Sequence, residues 1–208
     1  MLQGIILVGG SFDPPGNHHV QVLERICNRF NNARIIVVPC GPRKDKPSQG
    51  TTLDQRIEMV YSAFGQLEED GLIEIDVYDL EKNCFRPTHV LGDIYSKQGK
   101  VLHFVGAEII AGGAKGSSYI HKHWARKETD YNQLHFLVGG RPCKEYEPDD
   151  LPFGSVYLPL EGIFGSSTEI RRRIKAGDES FCDMVCEDVA RVIVWDKLYG
   201  WKGYEWKS

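Results

Sequence analysis

The chain has 208 residues, 41% of them apolar and 11% aromatic, enough to bury one sizeable core. Charged residues make up 26% and the formal balance is -4, so no basic surplus argues for a nucleic-acid partner. No apolar stretch reaches the roughly 18 residues that a membrane span needs. The first apolar run has no basic segment before it and no small-residue cleavage site after it, so it does not read as a signal peptide.

Residues 4–8 (GIILV) form a short continuous apolar run, as expected of a strand buried on both faces of a parallel sheet. A Gly- and Pro-rich loop, 9–17, follows. Val20, Leu23, Ile26, Cys27 and Phe30 then fall at helical spacing, which predicts a helix from Asn17 or His18. Residues 34–39 (RIIVVP) read as a second strand, completing a strand–loop–helix–strand unit that implies parallel pairing. Thr52 and Gln55 have the spacing of a capping box, ahead of a helix whose inner face would be Ile57, Val60, Tyr61 and Phe64.

Further strands are predicted at 73–78, 101–105, 134–139 and 155–159, with a helix at 88–97. Ser166 and Glu169 open a basic helix that stops at Gly177, and a last helix spans about 186–196. Residues 111–118 and 147–154 read as surface insertions. The alternation predicts an α/β fold: a doubly wound, Rossmann-like open parallel sheet with helices on both faces and a small C-terminal helical segment. One domain, 1–208, with a helical subdomain at about 164–208, is the expected organisation.

The six cysteines show no CxxC pair and no zinc spacing, and are read as structural thiols of a reducing, cytoplasmic compartment. Cys182 and Cys186, four apart, are expected on one helix face. His121, His123 and Trp124 (HKHW) are read as a loop or strand edge and not as a metal site. No metal-ligating set is expected from the protein.

Two segments carry chemistry. Gly9-Gly10-Ser11-Phe12-Asp13-Pro14 follows the first strand, where open α/β sheets bind ligands. Glycines there let backbone N–H groups approach phosphate, Ser11 adds a hydroxyl, and a helix N-terminus supplies further donors. His18 and His19 stand in the first turn of that helix. Its dipole disfavours the imidazolium until an anion arrives, and binding a polyphosphate would then favour the protonated form. Asp13 is read as a turn residue holding the loop in preference to a general base. The segment is neither a P-loop, lacking Gly-Lys-Ser/Thr, nor the dinucleotide fingerprint. Near the other end, Gly165-Ser166-Ser167-Thr168-Glu169-Ile170-Arg171 joins a hydroxyl-rich helix start to an arginine one turn on, a pairing suited to phosphate oxygens. Arg172 and Arg173 are read as surface residues.

Together the segments GGSFDPPGNHH and GSSTEIR resemble the nucleotidyltransferases marked by GG(T/S)FDP…HxGH and ISSTxIR. The resemblance runs nearly end to end and narrows to the nicotinate and nicotinamide mononucleotide adenylyltransferases. It includes the loop around Arg43-Lys44-Asp45-Lys46, the helix start Gln55-Arg56-Ile57-Glu58-Met59, Val105-Gly106-Ala107-Glu108, Gly140-Arg141-Pro142 and Lys197-Leu198-Tyr199. Three positions depart from the pattern. Gly16 stands where HxGH has its first histidine, Gly165 where an isoleucine is usual, and Glu108 where an aspartate is usual.

The resemblance implies in-line attack of a mononucleotide phosphate on the α-phosphorus of ATP, with Mg²⁺ accompanying the nucleotide. By it, Gly9, Gly10, Ser11 and Phe12 cradle phosphates and His19 is a catalytic donor, with His18 a second candidate. Lys44 would neutralise charge, and Ser166, Ser167, Thr168 and Arg171 would grip the β- and γ-phosphates. Gly106 and Glu108 would hold the adenosine, while Lys46, Thr88, Trp124 and Arg141 would meet the mononucleotide. Trp124 as a ring-stacking residue is weighed against core packing. Partners are then small molecules, with neither nucleic acid nor membrane. Oligomeric state is not legible, and a homo-oligomer remains open. The rival readings are pantetheine-phosphate adenylyltransferase, a cytidylyltransferase, or a nucleotide-binding regulator that has lost catalysis.

Overall fold

The computed structural model describes residues 4–43, 49–140 and 146–203. Six strands occur in chain order: β1 (Ile5–Gly10), β2 (Arg34–Pro39), β3 (Glu74–Ile75), β4 (Val101–Gly106), β5 (Phe136–Gly140) and β6 (Val156–Pro159). The helices are α1 (Asn17–Arg29), α2 (Leu53–Glu69), α3 (Tyr78–Glu81), α4 (Thr88–Tyr95), α5 (Ala107–Ile110), α6 (Tyr119–His123), α7 (Glu128–Gln133), α8 (Ser167–Ala176) and α9 (Glu187–Trp195). The strands form one sheet in the order β3-β2-β1-β4-β5-β6. Parallel pairing joins β1 to β4, β4 to β5 and β5 to β6. This order, reversing between β1 and β4, is that of a doubly wound Rossmann-like sheet. Among the described residues no helix is long and apolar enough to cross a membrane.

The buried strands follow from their composition. Ile5–Val8, Ile35–Val38 and Phe136–Val138 are almost fully excluded from solvent, as continuous β-branched and apolar runs require when both faces are covered. The strand expected at 73–78 is only two residues long. The Asp76 carboxylate accepts the Tyr78 backbone N–H at 3.1 Å, a local turn that diverts the chain into α3. In α2 the capping box forms as spaced, Thr52 accepting from Gln55 N and Gln55 from Thr52 N. Its buried face is rotated from the expected one: Arg56, Met59, Val60 and Phe64 are buried, while Tyr61 is exposed.

The chain groups into two compact units. The first takes the residues through Gly9 with Arg25–Val37 and Arg86–Ile163. The second takes Gly10–Glu24, Val38–Phe85 and the chain from Phe164 onward. The C-terminal segment therefore groups with the residues that follow β1 and β2.

In the first unit, the two expected insertions are clamped by one residue. Buried Asp150 accepts N–H bonds from Gly112 and Ala114, both at 2.9 Å, and from Glu147 at 3.1 Å. Burial alone would raise its pKa, but these backbone donors outweigh it and hold the carboxyl below its ordinary value. Tyr131 donates its hydroxyl to Asp150 O at 2.6 Å. The HKHW segment is not a loop or strand edge. It is the end of α6 and its C-cap, because Ser118 caps that helix by accepting His121 N. Nor do Cys182 and Cys186 share a helix. Cys182 lies in a 3-10 turn, Glu179–Met184, and Cys186 is the N-cap of α9.

His103 of β4 is buried, and this desolvation, with a smaller contribution from His135, lowers its pKa from 6.5 to about 4. The unfolded chain therefore binds a proton that the folded chain refuses. Stability from this source is complete above pH 6.5 and is lost as pH falls towards about 4. The loss amounts to about 3 kcal/mol at most. Urea midpoints compared at about pH 7.5 and about pH 4.5 should fall less in His103→Asn than in the parent chain. An equal fall in both would show that His103 is not the source.

Candidate active site

The second unit brings the two end motifs together. After β1 the chain turns at Phe12, whose φ of 46° is enforced by burial of its ring. That ring packs edge-on against Phe64, with centroids 5.2 Å apart, and against His19 at 5.1 Å. It also lies over Gly10, where a Cβ would stand 2.7 Å from Phe12 Cζ. Phe12 therefore shapes the loop as a core anchor.

Asp13 fastens the loop to three separate segments. Its carboxylate accepts the Tyr199 hydroxyl at 2.6 Å, the Thr51 hydroxyl at 3.0 Å and Gln49 N at 3.2 Å. Its backbone carbonyl accepts Arg171 Nη1 at 2.5 Å. Ser167 Oγ donates to Pro14 O at 2.8 Å. Asp13 thus holds the loop, the role preferred from sequence. Burial, then the Asp13 charge and hydrogen bond, raise the Tyr199 pKa far above the phenol range, so its hydroxyl stays a donor.

At the start of α8, Ser166 accepts Glu169 N at 3.1 Å and so caps the helix. The Glu169 side chain does not complete a capping box. It pairs instead with Arg172 and Arg173, and these hydrogen bonds lower its pKa to about 2. Arg171 also donates to Thr168 Oγ1 at 3.3 Å. These two bonds use two of the five guanidinium N–H groups, which leaves capacity for an anion.

At the start of α1, Gly16 N donates to His19 Nδ1 at 3.0 Å. This is the reach-back half of a capping box, with histidine in the acceptor's place. Because Nδ1 accepts, the ring proton of neutral His19 sits on Nε2, which is then a donor. His18 is buried, and its ring centroid is 3.8 Å from that of His19.

Two residues of this unit had been given no role from sequence. Arg56 is buried in α2 and donates through Nη2 to Ser11 O at 2.5 Å and to Cys40 O at 2.6 Å. It places a positive charge behind the loop. An arginine beside the apolar face of an amphipathic helix was the available signal. Tyr199 is the other, signalled only by the closing Leu-Tyr resemblance.

In the first unit, Gly106 ends β4 and Glu108 lies in the first turn of α5. A Cβ at Gly106 would collide with the Glu108 carboxylate, so this glycine makes room for it. Thr88 is the first residue of α4. Trp124 caps α6 and packs against the core of Ala107, Ile110, Ile120, Tyr131, Phe136 and Val138, its ring centroid 6.0 Å from Phe136. That placement favours the packing alternative weighed for it. Lys44, Lys46 and Arg141 lie outside the described residues. Tyr199→Phe should lose about 1.5–3 kcal/mol, because it strips a charged acceptor of a buried donor. Urea denaturation measures this; a change within about 0.5 kcal/mol would show the Asp13 contact to be dispensable.

Residues 7–173 match the cytidylyltransferase-like family. Among curated relatives, a probable nicotinate-nucleotide adenylyltransferase of Clostridium tetani is 28% identical over 93% of this chain and 96% of its own length. One of the same name from Exiguobacterium sibiricum is 27% identical, over 93% and 97%. A solved structure, Plasmodium falciparum nicotinic acid mononucleotide adenylyltransferase complexed with NaAD, superimposes with a TM-score of 0.76 at 20% identity. It covers 96% of this chain and 98% of that one. With most of its length matched, the chain belongs to the cytidylyltransferase-like family.

Proposed function

We propose that the chain joins ATP to nicotinate mononucleotide with release of pyrophosphate, a step of NAD biosynthesis. The observation that carries this reading is the meeting of both end motifs within one unit. There Arg171 and Ser167 of α8 bond Asp13 O and Pro14 O, beside the histidines of α1. Curated relatives bearing the nicotinate-nucleotide name over 93% of the chain support this acceptor and not pantetheine phosphate.

In the proposed reaction an acceptor phosphate oxygen bonds to the α-phosphorus of ATP as the bond to the β-phosphate bridging oxygen breaks. Pyrophosphate carries away that electron pair, and no covalent enzyme intermediate forms. The protein's work is to position two anions and to meet charge that grows on the phosphate oxygens. His19 Nε2–H, held by the Gly16 N–H bond on the far side of the ring, donates to the α- or β-phosphate. Backbone N–H groups of the loop from Gly9 to Phe12 and at the start of α8 supply neutral donors at fixed places. Arg171 contributes its remaining donors to the β- and γ-phosphates. Arg56 stays behind the loop, where its charge lowers the cost of bringing in a polyanion.

Magnesium enters in this proposal as part of the MgATP substrate. Among the described residues no group of three or more His, Cys, Asp or Glu is placed to hold a metal ion. Phosphate oxygens are fitting ligands for such a hard cation. Glu108 binds the ribose, and Thr88 meets the mononucleotide. A reducing, cytoplasmic setting, read from the cysteine spacing, belongs to the same proposal.

Purified chain with ATP, Mg²⁺ and nicotinate mononucleotide should release pyrophosphate, faster than with nicotinamide mononucleotide, phosphopantetheine or CTP in the same panel. Calorimetric ATP binding with no pyrophosphate from any acceptor would identify a regulator instead. His19→Ala should lower kcat by about 10²–10³-fold. It should weaken ATP binding, read by calorimetry, by less than about tenfold, because the donor acts chiefly on transition-state charge. Equal losses in both would make His19 a binding residue only.

A further inference from the structure

Two glycines from opposite ends of the chain make room for one imidazole. A Cβ at Gly16 would stand 2.8 Å from His18 Nδ1, 2.9 Å from His18 Cε1 and 2.7 Å from Ile170 Cδ1. A Cβ at Gly165 would stand 2.9 Å from His18 Nδ1 and 3.0 Å from His18 Cγ. Separations under 3.0 Å are essentially never seen for real Cβ atoms, so something would have to move. The His18 ring has little freedom to give way. It is 3% exposed, and the start of α1 is tied down by Asn17, which donates to Asp183 O and Val185 O. Gly165 also has φ of 137°, which strains any other residue.

Gly16 and Gly165 are the two positions where the end motifs lack the side chains of HxGH and ISSTxIR. Both border the same ring, that of His18. What the ring meets is His19: the centroids are 3.8 Å apart, with 40° between the planes. His19 also meets Phe12, with ring centroids 5.1 Å apart and planes at 83°. The His19 imidazole thus touches two rings while its Nδ1 accepts from Gly16 N.

We propose that His18 is a positioning residue for His19. Seated in the notch between Gly16 and Gly165, it backs the His19 ring. It keeps Nδ1 of His19 on the Gly16 N–H and so leaves Nε2–H as the donor to the nucleotide. This rests on the phosphate-directed role proposed above for His19. Burial is what separates it from a direct role for His18, whose ring is almost wholly enclosed whereas His19 is partly open.

The test uses the full chain and two readouts. The first is long-range proton–nitrogen NMR of His19 without nucleotide. The parent should show one tautomer, with Nδ1 unprotonated. His18→Ala should mix the tautomers, and His18→Phe, which restores a ring, should return the single form. Gly16→Ala keeps both histidines but crowds the seat, and should mix the tautomers too, which covers the case in which His18→Phe does not fold. Thermal melts identify the folded variants. The second readout is pyrophosphate release. His18→Ala should lower kcat about 10²-fold with KM for ATP changed less than about threefold, and His18→Phe should recover at least about tenfold of that loss.

A His19 tautomer unaffected by both His18→Ala and Gly16→Ala would overturn the proposal. So would a kcat loss in His18→Phe as large as in His18→Ala with the tautomer intact, since that result makes His18 a donor in its own right. If the parent chain releases no pyrophosphate with any acceptor, the functional reading fails separately, and the NMR comparison still decides the part played by His18.

Discussion

A buried carboxylate cannot be left short of partners, and at Asp13 that requirement organises the whole of the unit that holds both end motifs. One side chain takes hydrogen bonds from Tyr199, Thr51 and Gln49, and its own backbone oxygen takes Arg171. These donors come from three distant stretches of chain, so satisfying one residue brings the first loop, the segment before α2, the first half of α8 and the helical turn Leu198–Gly200 into register. Arg56 does the same from behind with Ser11 O and Cys40 O. The loop after β1 is consequently fixed before any ligand arrives. Fixed donors cost no reorganisation when charge develops, which suits the phosphate-binding role proposed for this loop.

The same bonds alter what each motif residue contributes. Ser166 and Ser167 look alike in sequence, yet one hydroxyl caps α8 and the other latches onto Pro14 O. Arg171 both latches the loop and keeps donors in reserve. Hydroxyls near a helix start thus hold the protein frame, and in the proposed reaction direct anion contact falls more to backbone N–H groups, to His19 and to the remaining arginine donors. A single set of contacts serves stability and chemistry together.

In the other unit, Asp150 plays a comparable part for residues 111–118 and 147–154. A glycine- and serine-bearing segment and a Pro-Asp segment are joined there because one carboxylate collects their N–H groups. Packing of Trp124 on Phe136 and of Tyr131 beside Ala107 and Ile110 then gives that region a small core of its own.

Much of this was legible in the linear pattern. Continuous β-branched runs mark strands covered on both faces, and five of the six strands fall within two residues of their expected bounds, because apolar period and turn residues are local signals. The caps at Thr52 and Ser166 are local as well, each bond spanning three residues. The functional class was legible for another reason: both motifs resemble those of the nucleotidyltransferases, and their glycine, hydroxyl, histidine and arginine at helix starts suit phosphate oxygens. Tertiary structure alone decided the rest. Burial of Arg56 in place of Tyr61 depends on which loop α2 faces, and the role of Asp13 depends on a tyrosine 186 positions away. That Gly16, His18 and Gly165 form one seat appears only when the two ends are folded together. Helical and strand periods encode which side of an element is buried, whereas the partner on that side is set by chain topology, which no local spacing carries.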